Sequence, residues 1–302
     1  MNSNDLIKKV KEAEDIIYSY LPVSGENDEY IIDAMKYSVK AGGKRIRPIL
    51  MREFYRAFSE DSRESDLLHR FMCAIELIHS YSLCHDDLPA MDNDRLRRGK
   101  PSTWAEYGEA YGILAGDALL NYAYEVILDG MTDCDAKQTQ RGIKALKILA
   151  RKSGAYGMVG GQSLDVYSDK NNDIELDMDQ IEYIYRNKTS ALLEASACCG
   201  AILGGAKDEQ LSTVNDIMYN VGMAFQIRDD ILDIVSTADI LGKPIGSDER
   251  NGKKTYALLK GVSLAQQDVE DYTRKALNML DEILPGCVDI KEMISMMAGR
   301  NK

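Results

Sequence analysis

This sequence has no long apolar run, no excess of positive charge and no paired-cysteine spacing. Each lack removes a class of protein. A membrane span needs about 20 predominantly apolar residues, and the greasiest stretch, SACCGAILGG, is too short. The opening MNSNDLIKKVKEAEDIIYSYL has neither an apolar signal core nor a cleavage site, so a cytoplasmic location is expected. A net charge of -12 leaves no basic stripe for nucleic acid. The six cysteines include the adjacent Cys198 and Cys199, but none forms C-x-x-C and no zinc spacing occurs, so reduced and mostly buried thiols are expected. Only six prolines are present, at positions that read as breaks between segments: Pro22, Pro48, Pro89, Pro101, Pro244 and Pro285.

Between those breaks the apolar period is helical. DLLHRFMCAIELIHSYSL places Leu67, Leu68, Phe71, Met72, Ile75 and Ile78 on the i, i+3, i+4, i+7 pattern. EYIYRNKTSALLEASACCGAILGG behaves alike and closes on Gly204–Gly205, as does STVNDIMYNVGMAFQIRDDILDIV. No run of alternating strand residues, linker, repeat or low-complexity tract stands out. With 45% apolar residues in 302, the chain can bury a large core. The expectation is an all-α fold, one helical domain over residues 1–302.

Acidic residues cluster twice within this helical frame. HDDLPAMDND brings Asp86, Asp87, Asp92 and Asp94 together at the end of a strong helix pattern, where Pro89 turns the chain. Two carboxylates about 4 Å apart repel by about 4 kcal/mol at an effective dielectric near 20. The negative end of the helix dipole adds to that cost, so a cation is expected there. QIRDDILDI supplies the second cluster. Asp229 and Asp233 share a helix face and Asp230 lies beside them, in a segment that is otherwise apolar. Two such clusters suggest a facing pair that holds hard divalent ions such as Mg2+.

Magnesium often binds through one or two carboxylates and substrate phosphates, which directs attention to cations. GGKRIRP supplies Lys44, Arg45 and Arg47; DRLRRGK supplies Arg95, Arg97, Arg98 and Lys100; RNKTS supplies Lys188. LGKPIGSD adds Lys243, and NGKKTY adds Lys253 and Lys254. Arginine forks match phosphate oxygens in pairs, while lysine acts as a point charge. No P-loop or dinucleotide fingerprint is present. Glu76-Leu-Ile-His79 has the E-x-x-H spacing of di-iron bundles, but no second copy exists to complete such a site. His79 is read instead as hydrogen-bonding substrate or core.

Taken in order, these motifs resemble the trans-polyprenyl diphosphate synthases, specifically the bacterial farnesyl diphosphate synthase type. The likeness spans nearly the whole chain, through GGKRIRP, IELIHSYSLCHDDLPAMDNDRLRRGKPS, LAGDALL, GGQSLDV, NKTSALL, GMAFQIRDDILDI, LGKPIGSD, GKKTYALL and RNK. The resemblance implies the isoprenoid synthase fold, a helical bundle around a deep central cavity, and a homodimer. It implies condensation of isopentenyl diphosphate with an allylic diphosphate, dimethylallyl or geranyl, helped by several Mg2+ ions. Asp86, Asp92 and Asp229 match metal ligands, supported by Asp87, Asp230 and Asp233. Lys44, Arg47, His79 and Arg98 match the isopentenyl diphosphate site. Arg97, Lys188 and Lys243 match contacts to the allylic diphosphate, with Lys253 a further phosphate-binding candidate. Thr189 and Gln226 match polar groups near the developing cation. Two departures are visible: Cys84 replaces a β-branched aliphatic residue, and STWAEYG replaces Thr-His or Cys-His after the basic run.

Product length is expected to depend on the residues before Asp86. At about 1.5 Å per helical residue, Ser82 and Tyr81 lie roughly 6 to 7.5 Å deeper. The Tyr81 ring is a candidate floor that stops growth at fifteen carbons, or an ordinary core tyrosine. A geranylgeranyl diphosphate synthase shares every charged motif and is the nearest alternative. A terpene cyclase needs no isopentenyl diphosphate site, and a non-catalytic subunit of a heteromeric prenyl synthase should lack one aspartate motif.

Overall fold

The computed structural model describes residues 3–170, 176–235 and 255–299. As expected, helices dominate, and no described helix is long and apolar enough to cross a membrane. The described residues divide into two compact units, one within Asn2–Leu146 and Ile202–Gly205, the other within Lys147–Ala201 and Ala206–Lys302.

In the first unit, α1 (Ser3–Ser19), α2 (Glu29–Lys40), α3 (Ile46–Phe58) and α4 (Asp66–Asp86) are followed by a small hairpin, α5 (Thr103–Tyr107), α6 (Glu109–Met131) and α7 (Ala136–Ser153), which runs past the unit boundary. Ser65 starts α4 by accepting the Leu68 amide on its side chain. Leu67, Leu68, Phe71, Met72, Ile75 and Ile78 are all buried, as their spacing predicts. So are Cys73, Ala74 and Leu77 on the remaining faces. A helix apolar all round belongs at the centre, and α4 packs against α1, α2, α3 and α6. The approach of α6 is close: a Cβ on Gly116 would lie 2.1 Å from the His85 ring.

The hairpin pairs Leu96–Arg97 (β1) with Lys100–Pro101 (β2). Strands of two residues are too short to show alternation, so the sequence carried no sign of them. Arg98 and Gly99 form the turn with φ of 55° and 77°, the backbone of a type I′ hairpin. Pro48 is no break either: it occupies the first turn of α3, where no amide donor is needed.

In the second unit, α8 (Met158–Lys170) precedes α9 (Met178–Ile184), which a reciprocal Asp177–Gln180 capping box starts. The helix expected to run unbroken from there is interrupted by a π-helical turn over Tyr185–Ser190 before α10 (Ala191–Gly204), whose last turn lies in the first unit. The Ser190 hydroxyl donates to the Tyr185 carbonyl five residues back, at 3.2 Å. The wide turn also lies tight on α11 (Asp208–Val235), where a Cβ on Gly222 would come within 1.9 Å of the Ser190 hydroxyl. Around α11 pack α12 (Tyr256–Lys260), α13 (Val262–Ile283) and α14 (Val288–Ala298).

Candidate active site

The first acidic motif sits where α4 ends. Asp86 is its last residue and half-buried, while Asp87 caps it and is 2% exposed. The loop then folds back: the Asp92 amide donates to the Asp86 carbonyl at 2.9 Å, and Asn93 turns with φ 54°. Asp92 is left exposed beside the helix end. Asp87 is held by Arg97, whose Nε donates at 3.0 Å and whose Nη2 makes a second contact. Burial pushes the Asp87 carboxyl above the ordinary aspartate range against the pull of Arg97. Arg97, expected on an allylic diphosphate, here grips the acidic motif. The two departures from the family pattern touch each other, since the Cys84 thiol lies 3.3 Å from Thr103 Oγ1 and 3.0 Å from Ser38 Oγ.

A cationic group gathers in the same unit. The first half of GGKRIRP forms the left-handed loop before α3, with Gly42, Gly43 and Arg45 at φ 93°, 139° and 46°, and Ile46, Arg47 and Pro48 begin the helix. A non-glycine residue held at such a φ costs of order 1–3 kcal/mol, a strain concentrated at functional sites. The three cations of the motif then sort themselves. Lys44 is exposed. Arg45 turns inward onto Glu76 at 2.6 Å. Arg47 keeps its buried Nε without a hydrogen-bond partner among the described residues. Burial, aided by the Arg98 charge, disfavours the cation on Arg47, with Glu76 opposing. Arg98, at the hairpin tip, lays its guanidinium on Gly43, where an added Cβ would be 2.8 Å away. His79 is held well below the usual imidazole range by burial and then by Arg47, Arg98, Arg45 and Arg97. Burial and these cations disfavour a protonated imidazole, and the buried Arg47 N–H beside it, without a partner among the described residues, calls for an anion.

In the second unit, the π-helical turn presents Lys188 and Thr189, and turns of this kind are common at functional sites. Lys188 Nζ reaches Asp165 Oδ2 at 2.5 Å. Gly161 of GGQSLDV permits this approach, because a Cβ there would lie 2.3 Å from the Lys188 amide. The Thr189 hydroxyl donates to Gln226 Oε1 at 2.8 Å, so two polar groups expected near a developing cation are in contact. Asp229 and Asp233 are half-buried on one face of α11, and Asp230 is 4% exposed. The Tyr185 hydroxyl donates to Asp230 Oδ2 at 2.5 Å and accepts the Tyr256 amide at 3.1 Å. Tyr185 and Asp165 were not singled out from the sequence. The signal was their position inside quoted motifs, one beside NKTS and one in GGQSLDV. Lys243 and Lys253 lie outside the described residues.

Tyr81 is 6% exposed and packs edge-on to His85, with centroids 5.9 Å apart. Burial, then Tyr124 and Asp86, pushes its phenol up to about 12. Ser82 spends its hydroxyl on the His79 carbonyl at 2.9 Å.

Among the described residues no three His, Cys, Asp or Glu side chains group closely enough to form a metal cage. Magnesium bound through one or two carboxylates and substrate phosphates needs none, and the donors at Asp86, Asp92 and Asp229 are hard oxygens that suit it.

Residues 28–285 match the polyprenyl synthetase family. The farnesyl diphosphate synthase of Geobacillus stearothermophilus is 44% identical over 236 residues, covering 78% of this chain and 76% of that protein. The geranylgeranyl diphosphate synthase of Cyanophora paradoxa is 40% identical over 265 residues, covering 88% and 85%. The solved structure of a geranyltransferase from Helicobacter pylori, complexed with magnesium and isoprenyl diphosphate, superposes with a TM-score of 0.79 at 27% identity, over 99% of this chain and 98% of that one. The aspartates, the arginine group and the polar pair thus occur in a chain matched over most of its length: it belongs to the polyprenyl synthetase family and is a trans-prenyltransferase.

Proposed function

We propose that the protein condenses isopentenyl diphosphate with dimethylallyl diphosphate and then geranyl diphosphate, releasing farnesyl diphosphate. The observation that carries this reading is the arginine–histidine group, in which the buried Arg47 Nε has no hydrogen-bond partner among the described residues. An enzyme that only ionised one diphosphate would have no use for this second anion site. In this reading Arg47, Arg98, Lys44 and His79 hold the isopentenyl diphosphate, His79 as a neutral N–H donor.

Asp86, Asp92 and Asp229 are assigned to magnesium, with Asp87, Asp230 and Asp233 supporting them. When bound, magnesium draws off charge from the departing diphosphate. Lys188, oriented by Asp165, adds a cation for the same group, together with Arg97, Lys243 and Lys253. The allylic C–O bond breaks, and the Thr189–Gln226 pair offers preorganised dipoles to the carbocation. The isopentenyl double bond attacks, a carbon–carbon bond forms, and a proton leaves to the released diphosphate. Several metal ions per site, a homodimer and a cytoplasmic location belong to the same reading.

Incubation with labelled isopentenyl diphosphate, each candidate starter and magnesium, followed by product sizing, tests it. A fifteen-carbon product is expected. Label remaining wholly in isopentenyl diphosphate would overturn the proposal, and a dominant twenty-carbon product would select the geranylgeranyl reading, which relatives such as the Cyanophora paradoxa enzyme favour.

A further inference from the structure

Two charged features take no direct part in the chemistry above: Arg45 within GGKRIRP, and the glutamate of the Glu76-x-x-His79 motif. They pair with each other, Arg45 Nη1 to Glu76 Oε1 at 2.6 Å, and both residues are buried. The Arg45 guanidinium also donates to the Val39 carbonyl at 2.7 Å, to Glu14 Oε1 at 3.1 Å and to the Tyr18 hydroxyl at 3.2 Å. One side chain therefore ties α1, α2 and α4 to the start of α3. Its side chain is 0% exposed and cannot itself meet substrate.

We propose that the Arg45–Glu76 ion pair is the positioning element of the isopentenyl diphosphate site, setting Arg47, His79 and Arg98 together. The inference rests on the assignment of that diphosphate to these three residues. Each is coupled to the pair by a short path. Arg47 follows Arg45 by two residues, in a first turn begun by the Arg45 carbonyl, which accepts the Ile49 amide at 3.1 Å. His79 stands one turn beyond Glu76 on α4, so the two share a face. Arg98 rests on Gly43, two residues before Arg45 in the same left-handed loop. Three binding groups from three segments thus share one buried anchor. A fork with several fixed donors is needed for this, and a lysine cannot reproduce it.

The test compares Michaelis constants for the two substrates in Arg45→Lys, Tyr18→Phe and Arg47→Ala proteins. Arg45→Lys keeps the charge but loses most of the fork. Its KM for isopentenyl diphosphate should rise by at least about tenfold, while that for geranyl diphosphate stays within about twofold, a split that general loss of folding does not produce. Tyr18→Phe removes two peripheral contacts, the hydroxyl's acceptance from Arg45 and its donation to Glu14 at 3.1 Å, and keeps the ion pair, so it remains folded. It should shift the same constant in the same direction by about two- to threefold. Equal rises in both constants, or an unchanged isopentenyl diphosphate KM in the two positioning variants, overturns the inference. Arg47→Ala separates the levels. A large rise there with none in the positioning variants sinks only the anchor, whereas no rise in Arg47→Ala removes the binding site as well.

Discussion

Replacing Arg97 by alanine isolates the electrostatic problem posed at the end of α4. Asp87 is buried there with Asp86 beside it, and the negative pole of the helix dipole points at both. Arg97 answers with a two-pronged contact, its own side chain being 25% exposed against 3% for Asp87. Removing one member of a buried pair costs about 3–5 kcal/mol, because the other charge stays desolvated. The partial exposure of Arg97 places this pair at the lower end, about 3 kcal/mol. For 302 residues at about 2.1 cal/mol/K each, the unfolding entropy is about 0.6 kcal/mol/K, so the midpoint should fall by about 5 °C. Asp87→Asn should cost less, about 1 kcal/mol, since water can solvate the released guanidinium. The double variant, with neither charge, should recover half or more of the loss seen in Arg97→Ala. Thermal unfolding followed by circular dichroism at neutral pH and low salt measures all three. A midpoint within about 1 °C of the parent for Arg97→Ala, or strictly additive effects in the double variant, would refute the argument that this pair neutralises the helix end.

Further predictions concern turnover, product and pH. Asp86→Ala or Asp229→Ala should cut turnover by orders of magnitude at saturating magnesium, and near-normal steady-state rates would remove them as metal ligands. Tyr81→Ala should lengthen the product beyond fifteen carbons, as read by chromatographic sizing, and an unchanged spectrum would return Tyr81 to the core. Gly222→Ala forces a methyl group against Ser190 Oγ, 1.9 Å from its ideal position. It should disturb the π-helical turn bearing Lys188 and Thr189, lowering kcat at least about tenfold. Wild-type kcat would show that the turn can yield. Burial alone would raise the Glu64 carboxyl, but hydrogen bonds from His69 and Arg52 and the charges of Arg52 and Arg56 hold it down to about 2. A depressed carboxyl stabilises the fold above pH 4.5 and loses that contribution, about 3 kcal/mol, as pH falls toward 2. Glu64→Gln should flatten this part of the acid unfolding curve, and an unaltered curve would exclude Glu64 from it.

Much of this protein was legible in one dimension because the information was local. Helix α4 announced itself through a 3.6-residue period, and the clustered aspartates through a repulsion that only a cation relieves. The resemblance put Thr189 and Gln226 separately near a developing cation; their hydrogen bond at 2.8 Å is visible only in the structure. What a sequence cannot state is which of several like charges turns inward. Arg45, Arg47 and Lys44 are nearly adjacent, yet one is locked onto Glu76, one keeps a buried N–H with no partner among the described residues, and one faces solvent. That sorting depends on a glutamate 31 residues away and on a left-handed turn at a non-glycine residue. Likewise the π-helical turn at Tyr185–Ser190 reads as ordinary helix until Gly222 and Asp230 are brought against it. Local periodicity determined the helices, and the ordered motifs, through their resemblance to a family, pointed to the kind of chemistry. Tertiary packing decided which polar groups among the described residues are satisfied internally and which are not, because hydrogen bonds and desolvation depend on neighbours distant in the chain.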